Sequence, residues 1–304
     1  MEDHELTLFD RLNAIRDTVN KYGIDNFYLS FSGGKDSTIL HHLIDMALPN
    51  NKIPRVYINT GIEYFSILNF VKELCEHDKR IEIIKPTIPI KSMLEKYGYP
   101  FKSKQHSHNV GIYQTSKTLT KTNKKYLGID GDKPTMYQCP VKLKYQFTKD
   151  FNIKLSDKCC YKLKKEPVAK WQKESGKSIT ITGMRKEEGG NRNNLTCVVT
   201  DKDKKVIKFH PLSVVSEEWE DWFINKYNIK LCELYYAPYN FKRTGCKGCP
   251  FALGLQDELD VLERCLPNER KQCEIIWKPV YDEYRRIGYR LKKYGEIKQL
   301  ELDL

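Results

Sequence analysis

The sequence predicts an α/β fold: a doubly wound, mostly parallel sheet with a cysteine-rich C-terminal portion. Three observations carry that expectation. Short apolar runs at Phe27 to Phe31, Pro54 to Asn59 and Ile81 to Ile84 alternate with amphipathic stretches, the β-α-β-α-β pattern of parallel strands. The first run leads at once into Ser32-Gly33-Gly34-Lys35-Asp36-Ser37-Thr38, a turn crowded with hydroxyls and carrying one cation. The second run and a later one, Ser178 to Thr182, end in polar turns, where an open α/β sheet places its ligands.

Each element follows from its residues. Leu6, Leu8, Phe9, Leu12, Ile15 and Val19 recur at helical spacing, so a helix over residues 6 to 22 packs ahead of the first strand. Gly33 and Gly34 let the backbone bend and approach a ligand closely. The amides at the start of the helix running to Ala47, with the positive end of its dipole, form an anion site. Ser32, Lys35, Ser37 and Thr38 add donors and charge, which suits a pyrophosphate. A bare Gly-Gly would be an ordinary turn; the whole hexapeptide after an apolar strand is read as a phosphate loop. A helix over Phe65 to His77 joins the second strand to the third.

From Lys102 to Thr135, lysine, threonine, serine, glycine and asparagine replace apolar periodicity, which predicts a lysine-rich loop or lid. A helix containing Trp171 follows, then the strand Ser178 to Thr182. A helix over Glu217 to Tyr227 buries Trp219, Trp222 and Phe223, and Ile275 to Tyr294 is a basic, aromatic helix candidate. Its Arg285, Arg286, Arg290, Lys292 and Lys293 fit either nucleic-acid contact or a solvated face. The expected organisation is a nucleotide-binding domain over 1–255 and a basic helical extension over 256–304.

The 304 residues, 30% charged, carry a formal net charge of +12, with pI about 9.0 and mean hydropathy −0.61. Such a balance favours anionic partners, nucleotides or nucleic acid, or else reflects a generally lysine-rich composition. No apolar stretch is long enough to span a bilayer and the start is acidic, so a cytoplasmic protein is expected. In that compartment thiols stay reduced, and clustered cysteines among the ten point to metal or catalysis rather than disulfides.

Ser32-Gly33-Gly34-Lys35-Asp36-Ser37 resembles the loop of the PP-loop ATP pyrophosphatases, of the adenine nucleotide alpha hydrolase superfamily, and is not a Walker A sequence. Thr182-Gly183-Met184-Arg185, downstream of Cys159-Cys160, resembles the Thr-Gly-x-Arg motif of their phosphoadenosine phosphosulfate (PAPS) reductase branch. Thr60-Gly61-Ile62-Glu63 is similar to that branch's Asp-Thr-Gly-Leu-Glu segment, with Asn59 in place of the aspartate. Tyr97-Gly98-Tyr99-Pro100 and Ser103-Lys104 resemble a segment near its sulfonucleotide. The resemblance runs from about residue 25 to 255. It implies nucleotide contact for Ser32, Gly33, Gly34, Lys35, Asp36, Ser37, Thr38, Thr60, Gly61, Glu63, Gly183 and Arg185.

Cys246 and Cys249 stand at the i, i+3 spacing that lets two thiolates reach one metal, with Gly245 and Gly248 freeing the backbone to curl. With Cys159 and Cys160 they make four thiolates, a set that by spacing alone leaves iron-sulfur, zinc and no metal open. Vicinal cysteines followed by Cys-x-x-Cys resemble the adenosine phosphosulfate (APS) reductases of this family, which implies a 4Fe-4S cluster. Cys75, Cys197, Cys232, Cys265 and Cys273 read as single thiols. Cys139, beside the lysine-rich stretch, is an outside candidate for a reactive thiol or an extra cluster contact.

Two departures from the reductases redirect the chemistry. Sulfonucleotide reductases carry an altered loop, because their substrate has no leaving pyrophosphate; here it is intact. They also attack with a cysteine in a C-terminal Glu-Cys-Gly-type tail, whereas Gly295 to Leu304 holds none. The expectation is therefore an enzyme that adenylates an acceptor. Lys35 and the loop amides hold the β and γ phosphates of ATP, Mg2+ bridges them with help from Asp36, and Arg185 stabilises charge at the α phosphate. Sulfur transfer to tRNA, DNA or a small molecule follows, with a cysteine desulfurase as sulfur donor; thioredoxin is the electron donor in the reductase alternative. The alternatives are an APS or PAPS reductase forming sulfite and a non-catalytic nucleotide- or DNA-binding regulator.

Overall fold

A computed structural model describes residues 3–129, 135 and 137–294. The cysteine-free tail Gly295 to Leu304 and part of the lysine-rich stretch lie outside those residues. The chain divides into two compact units: residues 1–59, 63–85 and 167–244 form the first, and residues 60–62, 86–166 and 245–304 the second.

The first unit holds the sheet. Its strands are β1 (Phe27–Ser30), β2 (Arg55–Ile58), β3 (Ile81–Ile84), β4 (Ile179–Ile181), β5 (Val198–Thr200) and β6 (Val206–Phe209), in spatial order β3-β2-β1-β4-β6-β5. All neighbours pair in parallel except β5 with β6; Leu29 lies opposite Arg55 and Ile181. The fold is therefore α/β with a six-stranded, mostly parallel sheet. Strand order reverses between β1 and β4, and at such a switch the crevice beyond the strand ends takes the ligand. Helices α1 (Asp3–Tyr22), α2 (Lys35–Ala47), α3 (Phe65–His77), α7 (Glu166–Ser175) and α8 (Glu217–Lys226) accompany it. Trp171 and Val168 of α7 cover Tyr28 and Val56 on one face, and the Trp171 indole donates to Glu82 at 2.7 Å. On α8, Trp219 and Phe223 are buried and stacked at 5.1 Å, while Trp222 is half-buried.

One charged cluster in this unit is structural. Asp45 of α2 meets Arg55 and Arg80 at 2.7 Å each, Arg80 also holds Asp78 at 2.7 Å, and Arg55 is fully buried. His41, Asp45 and Asp78 have ligand atoms within 4.8 Å of one another, yet the two guanidinium groups already neutralise the carboxylates. Burial and then Arg55 lower the His41 pKa from 6.5 to about 4. Burial opposes ionisation of Asp45, but Arg80 and Arg55 override it and bring that carboxyl down to about 2. Both folded values lie below the ordinary ones. Both contributions to stability are therefore complete above pH about 6.5, and are lost as pH falls through about 4 and then about 2. Thermal melts from pH 8 to 4 should show Tm steady above neutrality and falling below pH about 6, with His41→Gln flattening the decline. A wild-type Tm unchanged between pH 7 and 4.5 would contradict this.

The second unit carries α4 (Ile90–Tyr97), α5 (Lys104–Ser116), α6 (Lys121–Leu127), α9 (Leu255–Cys265), α10 (Pro267–Ile276) and α11 (Lys278–Ile287). Helices α5 and α6 correct the expected loop over 102–135. The Ser103 hydroxyl accepts the His106 amide, and Thr120 and Asn123 form a capping box. The buried faces are polar, which hides them from hydrophobic periodicity. His106, Asn123 and Gln146 are fully buried, with His106 bonded to Tyr126 at 3.0 Å and Gln146 at 2.7 Å, and Asn123 to the Asn109 carbonyl at 2.8 Å. The basic helix expected over 275–294 is also interrupted, at Trp277, and restarts with Pro279 in the first turn of α11.

Candidate nucleotide site and cysteine centre

In the first unit, β1 runs into the glycine loop and Gly34 caps α2. Gly33 has φ 71°, and a Cβ there would lie 2.8 Å from the Val71 side chain, so glycine is required. The Gly34 amide donates to the Ser32 hydroxyl at 3.3 Å and the Lys35 amide to the Tyr235 hydroxyl at 3.0 Å. Tyr235 and Thr244 share a hydrogen bond of 2.7 Å. These hydroxyl oxygens occupy the acceptor role that phosphate oxygens fill at a helix N-terminus. Ser37 and Thr38 instead donate back to the Gly34 carbonyl at 3.0 Å and hold the turn.

A cavity of about 360 Å³ opens over this loop, lined by Ser32, Gly34, Lys35, Asp36, Arg185, Tyr235, Lys242, Arg243, Thr244 and the carboxylates of Glu187, Glu188 and Glu217. Arg185 leaves the end of β4, where Gly183 packs so closely that a Cβ would sit 2.9 Å from Cβ of Asp36. Arg185 lies 3.5 Å from Asp36, 2.7 Å from Glu187 and 3.3 Å from Glu220. Lys35 is ringed by Glu220 at 3.3 Å, Asp221 at 3.5 Å and Glu217 at 3.6 Å. Burial works to lower its pKa, but these α8 carboxylates outweigh that and raise it. Glu63 is half-buried and is not among the residues lining the cavity; Thr60, buried, and Gly61, at φ 81°, fall in the second unit.

Glu220, absent from the residues picked out by sequence, sits beneath this charge array. It is 0% exposed, and neither carboxylate oxygen has a well-formed hydrogen bond. Burial, and then the negative charge of Asp36, push its carboxyl up to about 8 against the pull of Arg185 and Lys35. A signal existed: Glu220 precedes the buried Phe223 by one turn, which places a carboxylate on the helix's apolar stripe. Tyr235 and Thr244 lie in a segment without periodicity and left no comparable sign.

In the second unit, Cys159 and Cys160 open a helix whose next turn, Tyr161–Lys165, is π-helical, a distortion that often marks functional sites. Cys246 and Cys249 bracket a turn held by neighbouring helices. Tyr281 donates to the Gly248 carbonyl at 2.5 Å, the Trp277 indole to the Lys247 carbonyl at 3.1 Å, and Tyr284 to the Pro250 carbonyl at 2.8 Å. The Gly248 amide donates to Glu258 at 2.7 Å, and the buried Lys247 ammonium to Glu269 at 2.9 Å. Burial raises the Cys159 thiol, followed by the charges of Cys246, Cys160 and Cys249; burial and then Cys246 push Cys249 up to about 12. The four sulfurs thus lie within electrostatic reach of one another. Ionisation of Cys159 and Cys249 is uphill until a cation compensates it. Among the described residues, the cysteines do not form a ligand group drawn within 4.8 Å.

Gly248, at φ 59°, has no room for a side chain: a Cβ would meet the Tyr281 hydroxyl at 2.4 Å and the Cys273 sulfur at 2.8 Å. Gly248→Ala should cost about 2 kcal/mol or more from left-handed strain and overpacking together. The check is chemical denaturation beside Gly245→Ala, whose added methyl meets nothing within 4 Å. Equal stability of the two variants would contradict it. Cys139 is 5% exposed and burial pushes its thiol up to about 11, against Lys102 and Lys144, so the expected reactive thiol is a buried, protonated one.

A family model described as the phosphoadenosine phosphosulfate reductase domain matches residues 26–133 and 111–252. The chain belongs to this family. No curated protein matches it. Among solved structures, PAPS reductase from Candida auris, as a phosphate complex, is similar at 13% identity and TM-score 0.44, covering 77% of this chain and 93% of that one. FMN adenylyltransferase from Candida glabrata in complex with ATP shares 14% identity over 81% of this chain and 63% of its own, with TM-score 0.46. NH3-dependent NAD synthetase from Campylobacter jejuni shares 14% over 92% and 95%, with TM-score 0.41. No helix among the described residues is long and apolar enough to cross a membrane.

Proposed function

We propose that this PAPS reductase-family chain is an ATP pyrophosphatase that adenylates an acceptor for sulfur transfer. The observation that carries the reading is the intact Ser32 to Ser37 loop, with its amides on hydroxyl acceptors and Lys35 and Arg185 beside one cavity. Lys35 and the amides take the β and γ phosphates. Arg185 meets charge growing on the α phosphate as an acceptor oxygen attacks the α phosphorus and pyrophosphate departs. Asp36, on the cavity wall beside Lys35 and Arg185, would help to hold Mg2+. Cys159, Cys160, Cys246 and Cys249 would hold a 4Fe-4S cluster, which supplies sulfur or electron chemistry when bound.

The test is pyrophosphate release from Mg-ATP by anaerobically prepared protein. ATP bound without turnover in the presence of candidate acceptors, tRNA and DNA among them, would favour a nucleotide-sensing role instead. The family match favours one second reading, APS or PAPS reduction to sulfite. In that reading the loop would bind a sulfonucleotide and ATP would not be consumed.

A further inference from the structure

Positive charge is segregated along this chain. Residues 86–166 carry seventeen lysines, no arginine and six acidic residues, a net +11 of the whole chain's +12. Residues 245–304 balance eleven basic against eleven acidic side chains. A generally lysine-rich composition would raise lysine everywhere, and here it does not. The basic helix at the C-terminal end is also committed internally: Arg285 to Glu274 at 2.9 Å, Arg286 to Glu283 at 2.7 Å, and Arg290 to the Pro250 carbonyl at 2.5 Å. Arg290 fastens the chain just beyond the cysteine turn, Arg285 ties α11 to α10, and Arg286 is paired with Glu283 on its own helix.

Within 86–166, lysines converge on one aromatic ring. The ammonium groups of Lys96, Lys158 and Lys162 stand 5.5, 5.5 and 5.1 Å from the centroid of Tyr97. Lys162 is also bonded to Glu166 at 2.7 Å, and Lys154 donates to the Lys96 carbonyl at 2.6 Å. Lys96, Tyr97, Lys154 and Lys158 line a cavity of about 880 Å³ together with His108 and Gln114. Its acidic residue, Asp157, is met by His108 at 3.4 Å. The ring quadrupole offsets only part of the mutual repulsion of three ammonium groups. A row of phosphates offsets the rest.

We propose that this surface binds single-stranded nucleic acid, the lysines on successive phosphates and the cavity, where Tyr97, Ile112 and Phe151 stand beside His108 and Gln114, taking bases. A lining that mixes ring and apolar surface with hydrogen-bonding groups suits bases, which present a face to stack and an edge to bond. The surface thereby supplies an acceptor class for the adenylating activity. It rests on that reading only for the chemistry performed, because binding is measured without ATP.

The test is fluorescence anisotropy of the full chain with a labelled mixed-sequence RNA of about 20 nucleotides, and its DNA counterpart, across a salt series. Three to four phosphates engaged predict a log-log salt slope of about −2 to −3. The triple variant Lys96→Gln, Lys158→Gln, Lys162→Gln should weaken binding at least about tenfold and reduce the slope by about 2. Lys170→Gln, Lys173→Gln, Lys202→Gln removes equal charge from the first unit and should leave affinity within about twofold. Lys35→Ala should leave it unchanged, so loss of adenylation and loss of RNA binding are separable. Equal weakening by both triple variants would overturn the proposal. So would retention by anionic phosphatidylserine vesicles with no affinity for either oligonucleotide.

Discussion

Lys35→Ala should lower pyrophosphate release from Mg-ATP by about two to three orders of magnitude, the usual cost of removing one preorganised charge partner. Lys35 lies in the first turn of α2, lines the loop cavity and is held by three carboxylates of α8. Its loss removes a cation beside the loop amides and leaves Glu217 at the cavity wall, and Glu220 and Asp221 behind it, with less compensation. An incoming polyphosphate then meets a net repulsive field. Circular dichroism and iron content should stay at wild-type values, because the lysine is not part of the core or of the cysteine turn. A variant that retains the wild-type rate would mean that Lys35 does not hold phosphate.

Cys249→Ser should reduce bound iron of anaerobically reconstituted protein from about four per chain toward zero, with loss of visible absorbance. The thiol lies in a turn whose carbonyls are bonded by Tyr281, Trp277 and Tyr284, so the remaining three cysteines keep their positions but lack the fourth ligand. Cys265→Ser, on the last turn of α9, is the matched control and should keep its iron. Zinc at one per chain in the wild type, with no iron taken up, would instead identify a mononuclear site and contradict the cluster. Iron at wild-type level in Cys249→Ser would remove Cys249 from the ligand set.

The sheet was legible because its chemistry is local and apolar. Phe27 to Phe31, Pro54 to Asn59 and Ile81 to Ile84 are short, largely apolar runs, and β1, β2 and β3 lie within them. The phosphate loop was legible because the run of glycines, lysine and hydroxyls has one strong physical reading after a strand. Helices α5 and α6 were missed because their inner faces carry His106, Asn109 and Asn123 in place of leucine and valine. Those groups are satisfied by hydrogen bonds with partners up to 40 residues away, which no periodicity records. Glu220 was missed for a related reason: the tryptophans around it marked α8 as core, and a carboxylate within a core helix has meaning only once Lys35 and Arg185 are seen against it. The aromatic hydroxyls and indole that fasten the cysteine turn lie about 30 residues beyond it, and spacing alone gave them no connection to it.

The most direct test of the central claim is a partition measurement on anaerobically prepared, iron-loaded protein. Pyrophosphate from Mg-ATP and sulfite from APS or PAPS are quantified in parallel, the latter with thioredoxin supplied. Pyrophosphate formation abolished by Lys35→Ala, with no sulfite from either sulfonucleotide, is the result expected of an adenylating enzyme. Sulfite formation without consumption of ATP would contradict it and make the chain a sulfonucleotide reductase.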